Sequence, residues 1–185
     1  MSLKEDLLAY QPFNEQEEKD REVMLALLDT QPDIFERKNR VAHFTASAWL
    51  VNQAHDKVLM IYHNIYQSWA WTGGHADGEP DGLVTALKEA REETGIQTIR
   101  PLQKELAAVD ILEVRRHIKR GKFVNAHLHF NLTYLCEADE TEALQVCEGE
   151  NSQVGWLPIE QLRQQVSEAH MLPVYEKLIR RGLTL

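Results

Sequence analysis

Three carboxylates set on one helical face, with a glycine corner at each end, constrain this chain more than anything else in it. The stretch begins Gly73-Gly74-His75-Ala76-Asp77-Gly78-Glu79-Pro80 and continues from Asp81 to Lys88. It closes on Glu89-Ala90-Arg91-Glu92-Glu93-Thr94-Gly95-Ile96. Glu89, Glu92 and Glu93 stand at i, i+3 and i+4, positions that share one face of an α-helix. Like charges this close oppose the helix unless a cation neutralises them, and Mg²⁺ prefers oxygen ligands of this kind. A glycine-rich loop before the helix lets the backbone come close to a phosphate or a metal. The segment therefore reads as a loop–helix–loop that holds a divalent metal against a phosphorylated substrate. A solvated acidic face with ordinary ion pairs is the plain alternative, and the glycine spacing at both ends argues against it.

The same residues resemble the signature of the Nudix hydrolases. That signature is Gly, five residues, Glu, seven residues, Arg-Glu, an aliphatic residue, any residue, Glu-Glu, any residue, Gly, aliphatic. With Gly95 as its last glycine the first falls on Gly74, and Glu89, Glu92, Glu93, Gly95 and Ile96 all match. Pro80 stands where the first Glu belongs, with Glu79 one residue early. Lys88 stands where the Arg belongs, and Ala90 is small for its aliphatic slot. Lys88 keeps the charge but loses the planar fork of Arg.

The resemblance implies an αβα sandwich of the α/β (α+β) class with a mixed sheet, over roughly residues 41–165. It implies Mg²⁺, with Mn²⁺ as a substitute, held by Glu89, Glu92, Glu93 and the backbone carbonyl of Gly74. It also implies water attack on a diphosphate linkage, with Glu89, Glu92 and Glu93 as the catalytic carboxylates. Glu89 is one candidate base. Family members also use a Glu from a later loop, which makes Glu148 and Glu150 candidates.

Composition bounds the rest. A chain of 185 residues suits one domain with a substantial core. Its net charge is −9, from 29 acidic against 20 basic residues, which argues against binding a nucleic-acid polymer. A nucleotide substrate is still compatible, because bound Mg²⁺ supplies local positive charge. Cys136 and Cys147 form no metal-type pair and read as reduced thiols of a cytoplasmic protein. No long apolar run marks a membrane span, and the acidic N-terminus does not look like a signal peptide.

Periodicity predicts helices over 3–10 and 14–29, an extension over residues 1–40 that packs on the fold, forms a homodimer contact or covers the pocket. The domain proper is expected over 41–185. Strands are expected over 44–51, 57–63, 69–72, 106–114, 123–136 and 154–157. The carboxylate helix is expected over 81–94, with Leu83, Ala86, Leu87 and Ala90 as its apolar face. Helices over 158–166 and 173–181 follow, with a short one within 140–144.

Outside the signature, His75 has the best claim to bind substrate because it follows Gly74. His127 and His129 alternate along a strand and face one side, and His43 and His63 lie near strand ends. Packing or substrate hydrogen bonding is the preferred reading of these histidines, with a histidine metal site as the alternative. Arg115, Arg116, Lys119, Arg120 and Lys122 make a basic hairpin that could grip a polyphosphate or be a solvated tip. ADP-ribose hydrolases of the resembled family tend to carry a proline where this chain has Asp110. Dinucleoside polyphosphate hydrolases tend to carry a tyrosine where it has Ile111, Leu112 and Glu113. The expected substrate is thus a small diphosphate compound, such as a nucleoside diphosphate derivative. Two rivals are a binding or regulatory module on the same scaffold and an isopentenyl-diphosphate isomerase. The isomerase needs a cysteine ahead of the signature, whereas both cysteines here follow it.

Overall fold

The computed structural model describes residues 2–119 and 121–182. Two helices, α1 (Leu3–Ala9) and α2 (Glu15–Thr30), lead into strands β1 (Ala42–Val51), β2 (Lys57–His63), β3 (Ser68–Ala70) and β4 (Thr72–His75). Helix α3 (Gly82–Thr94) follows, then β5 (Ile99–Pro101), β6 (Ala108–Val114), β7 (His117–Lys119), β8 (Lys122–Val124), β9 (His127–Ala138) and β10 (Asn151–Pro158). A single 3₁₀ turn over Ile159–Gln161 leads to α4 (Leu162–Gln165) and then α5 (Leu172–Gly182).

The strands form a curled mixed sheet in the order β10-β2-β1-β9-β5, with β3 on β2, β4 on β1 and β6 on β9. Its centre is the parallel pair β1 and β9, in unbroken register from Ala42 beside Leu128 to Val51 beside Glu137. Strand β1 is buried along its whole length, so both of its faces must be covered. Ala42, Phe44, Ala46, Ala48 and Leu50 pack with Leu132, Tyr134, Ala86 and Ala90 into one core. On the other face, Trp49 and Val51 join Val58, Met60, Leu135, Tyr175 and Leu178 in a second core under α4 and α5. Further along that second face β1 turns polar, with His43, Thr45 and Ser47. That half is the floor of a cleft.

The N-terminal helices pack on the fold. Leu3, Leu7, Tyr10 and Met24 enter the first core. Beneath them lies a charge cluster that no alternation in the sequence announces. Glu17, Asp110 and Lys177 are all buried. Lys177 Nζ lies 2.8 Å from Glu17 and 2.7 Å from Asp110, which joins α2, β6 and α5 at one point. The Tyr10 hydroxyl and the Phe13 N–H each donate to Glu17 at 2.6 Å. Burial pushes Glu17 up, yet the hydrogen bonds from Lys177 and Tyr10 bring it below its ordinary value. Burial wins at Asp110, which rises to about 6.

Three sequence expectations fail locally. The strand expected over 69–72 is interrupted at Trp71, and Gly73-Gly74, expected in a loop, continues as strand β4 paired with β1. The run 123–136 is not one strand, because β8 turns away at 125–126 to pair with β7. Residues 140–144 form turns and coil rather than a helix. The Asp139 carboxylate accepts from the Thr141 N–H at 2.9 Å, a local bond that competes with helix formation. Among the described residues no helix is long and apolar enough to cross a membrane.

Candidate active site

Helix α3 is placed by its two ends. Asp81 caps its start, with Oδ1 accepting from the Leu83 N–H at 3.0 Å and the Val84 N–H at 3.3 Å. Gly95 closes it at φ 79°, a left-handed turn that glycine makes without steric cost. Ala86 and Ala90, both fully buried, let the helix lie close to the sheet. Beside these alanines the helix presents Glu89, Glu92 and Glu93 to a cleft of about 870 Å³.

The glycine pair of β4 and the helix meet in that cleft. The Gly73 N–H donates to Glu93 Oε2 at 2.9 Å. A Cβ placed on Gly74 would come within 2.3 Å of Glu89 Oε2 and 2.4 Å of its Cδ, so Glu89 occupies space that only glycine leaves free. Gly74→Ala is therefore expected to displace the Glu89 carboxylate. We expect turnover to fall by at least about tenfold with the fold retained by circular dichroism. Unchanged turnover would show that this contact has no role.

The three carboxylates are not equivalent. Glu93 is 5% exposed, and burial raises it to about 8, helped by Glu89, Glu150 and Glu92 and opposed by the Gly73 N–H. Burial also raises Glu89, and Lys88 opposes that rise. Glu92 is largely exposed. Lys88 Nζ stands 3.2 Å from Glu89 and 3.6 Å from Glu92, so the residue in the signature's Arg position pairs with two of the three carboxylates and offsets one of their charges. Glu79 does not reach them. Its carboxylate accepts from the Asp81 N–H at 2.9 Å, within its own turn.

The later loop contributes one of its two candidate bases. Glu150 lines the cleft, whereas Glu148 is exposed and lies outside the lining. The turn that carries Glu150 is tied to α3 by buried Asn151. Asn151 Nδ2 donates to the Glu93 carbonyl at 2.9 Å, and its Oδ1 accepts from the Cys147 N–H at 3.2 Å. Of the basic hairpin, Lys119 lines the cleft together with His117, while Arg115 and Arg116 are exposed and outside the lining. Arg120 lies outside the described residues.

The floor of the cleft is the part that sequence reasoning left unassembled. Asn131 Oδ1 accepts from Thr45 at 3.0 Å and Ser47 at 2.9 Å, and its Nδ2 donates to Thr133 at 3.0 Å. Beside this satisfied network stand four imidazoles. The register sets His43 beside His129, and Thr45 pairs with both Asn131 and His75. His43 lies 5.1 Å from His75, 5.0 Å from His127 and 5.1 Å from His129, centroid to centroid. Burial, reinforced by neighbouring cationic groups, lowers His75 to about 3 and His129 to about 2, and it also lowers His43. His63 instead serves its own turn, its Nδ1 accepting from the Ile65 N–H at 3.2 Å. The alternation of His127 and His129 was visible in sequence, but their meeting with His43 and His75 depends on strand pairing.

The buried Cys136 is pushed up to about 12 by burial, and neither cysteine lines the cleft. The isomerase reading thus finds no thiol at the site.

Comparison with known proteins agrees with this geometry. The family model for the NUDIX domain matches residues 41–178. Among solved structures, the chain is similar to a Nudix hydrolase from M. smegmatis, RenU, at 14% identity and TM-score 0.58, covering 77% of this chain and 87% of that one. A C. elegans Ap4A hydrolase binary complex matches at 15% identity and TM-score 0.54, over 77% of this chain and 98% of its own. The NUDIX domain of Shewanella oneidensis NrtR, complexed with ADP ribose, matches at 19% identity and TM-score 0.54, over 84% and 96%. Comparison with curated proteins finds no match. The family match spans the sheet, the glycine pair of β4 and the carboxylate helix, and so the chain belongs to the NUDIX family.

Proposed function

We propose that this protein is a Mg²⁺-dependent hydrolase that cleaves the diphosphate linkage of a nucleoside diphosphate derivative or a similar small molecule. The observation that carries the reading is the junction of β4 and α3. Gly74 is packed against Glu89 so closely that no side chain fits between, and the Gly73 N–H donates to Glu93. The donor set suits the ion. Carboxylate and carbonyl oxygens are what Mg²⁺ prefers, and Mn²⁺ accepts them too. Crowded carboxylates, two of them held above their ordinary range by burial, are a cost that a bound cation offsets.

When bound, the metal supplies charge neutralisation at the phosphate oxygens and a more acidic water. The chain's own residues do the rest. Glu89, Glu92, Glu93 and the Gly74 carbonyl hold the ion. His75, which follows Gly74 into the cleft, and Lys119 from the basic hairpin orient the substrate, with Arg115 and Arg116 on the approach. A carboxylate in the cleft, Glu89 or Glu150, takes the proton as the water oxygen bonds to phosphorus and the bridging P–O bond breaks. A binding or regulatory role on the same scaffold is the second reading, favoured by Lys88, which already pairs with Glu89 and Glu92.

A panel assay separates the two. Nucleotide sugars, ADP-ribose, dinucleoside polyphosphates, nucleoside triphosphates and prenyl diphosphates are incubated with Mg²⁺, with Mn²⁺ and with chelator. Metal-dependent release of a nucleoside monophosphate is the expected outcome. Binding by thermal shift without turnover of any compound would favour the regulatory reading.

A further inference from the structure

Four imidazoles gathered at the floor of a cleft need a reason, because one of them, His43, has a buried nitrogen left without a partner among the described residues. Ligand nitrogens of His43, His75 and His129 all lie within 4.8 Å of one another. The three residues come from separate strands, β1, β4 and β9, joined through adjacent register positions. All three line the cleft.

The hydrogen bonds around them set the free lone pairs. His43 Nδ1 lies 2.9 Å from the Asn39 carbonyl. A carbonyl only accepts, so Nδ1 carries the proton and Nε2 carries the lone pair. That Nε2 is buried and has no hydrogen-bond partner among the described residues. A ring with one N–H anchored to a carbonyl and the other nitrogen open is the usual posture of a metal-ligating histidine. His127 repeats it, with Nδ1 2.8 Å from the Asn125 carbonyl and Nε2 3.2 Å from His129 Nε2. Two nitrogens bound tetrahedrally to one ion stand roughly 3.4 Å apart, given metal–nitrogen bonds of about 2.1 Å. The His127–His129 spacing is close to that.

We propose that His43, His75 and His129 bind one transition-metal ion of the Zn²⁺ class, with His127 beside them as a positioning residue. This site is separate from the carboxylate site on α3. Imidazole nitrogens select zinc-class ions, whereas Mg²⁺ takes oxygen. Three neutral ligands leave the ion its full double charge and an open coordination position toward the cleft, which fits an anionic oxygen.

The test uses the full chain, stripped of metal by chelator and dialysis, in excess Mg²⁺ so that the carboxylate site is not left to compete. Zn²⁺ alone is then titrated by calorimetry, and bound zinc is counted by elemental analysis after dialysis. Wild type is expected to hold one equivalent. His43→Ala and His129→Gln are expected to weaken binding by at least about tenfold, while Glu92→Gln and Glu93→Gln retain it. Absence of uptake in wild type, equal uptake in the histidine variants, or loss in the glutamate variants would each overturn the proposal. Should a histidine variant fail to fold, Co²⁺ added to wild type decides the matter. Intense visible absorption marks four- or five-coordinate nitrogen ligation and supports the site, and a weak octahedral spectrum overturns it. Zinc uptake does not depend on hydrolysis, so failure of the activity reading would leave this result standing.

Discussion

Replacing Glu93 by Gln is expected to abolish most turnover and, in the metal-free protein, to raise stability at alkaline pH. The activity loss should be on the order of 10²–10⁴-fold, the range for removing a positioned catalytic carboxylate. The stability gain follows from where the side chain sits. Burial holds Glu93 at about 8, above its unfolded value. Its favourable contribution is thus complete below the unfolded value, near 4.5, and is lost as pH rises through about 8. Gln cannot ionise, so it escapes that loss. At pH 8–9 the variant should exceed wild type by on the order of 2–4 kcal/mol in chelator. Mg²⁺ should narrow the gap by stabilising wild type alone. Glu92→Gln should match it in lost activity without the gain in stability, because Glu92 is exposed. Near-normal turnover in both folded variants, measured alongside thermal unfolding with and without Mg²⁺, would remove these residues from the site.

The second large effect lies away from the cleft. Lys177→Met leaves Glu17 and Asp110 buried with a cation removed. Breaking a buried pair in this way costs about 3–5 kcal/mol, or roughly 10 °C in Tm for a chain of this size. The sign with pH is specific. Asp110 is already held at about 6 by burial, so the penalty should be greatest above that pH and shrink as acid neutralises the carboxyl. Urea unfolding between pH 5 and 8 measures it. A deficit that is constant or grows on acidification would mean that Lys177 acts through packing rather than charge.

How far the sequence revealed these features depended on their range. The capping Asp81, the apolar stripe from Leu83 to Ala90 and the left-handed Gly95 are local signals, and the helix they define stands within one residue of expectation. The match of Gly74 with Glu89 was legible because the signature spans both. The meeting of His43, His75, His127 and His129 was not, because it needs the register of β1 on β9, and no local pattern carries pairing between distant strands. Buried charge misled in another way. No local pattern marks Glu17, Asp110 and Lys177 as buried, and their burial is made tolerable by ion pairs from Lys177 and Arg181 and the hydrogen bond from Tyr10. The missing helix at 140–144 is a third case. Glu142 accepts from the Gln97 N–H at 2.6 Å, and that tertiary bond and the local one at Asp139 outweigh helix propensity.

The central parallel pair has a further consequence during synthesis. β1, β4 and α3 all lie within the first hundred residues, so the glycine pair of β4 can close on the carboxylate helix early. The partner of β1 on its other side is β9, which emerges much later. Until then β1 offers an open edge flanked by Phe44, Trp49 and Leu50, a template for pairing with the wrong chain. Slow closure of distant strands prolongs that interval. The surplus of acidic residues across the whole chain, −9 in net charge, gives unfinished copies a mutual repulsion while they wait.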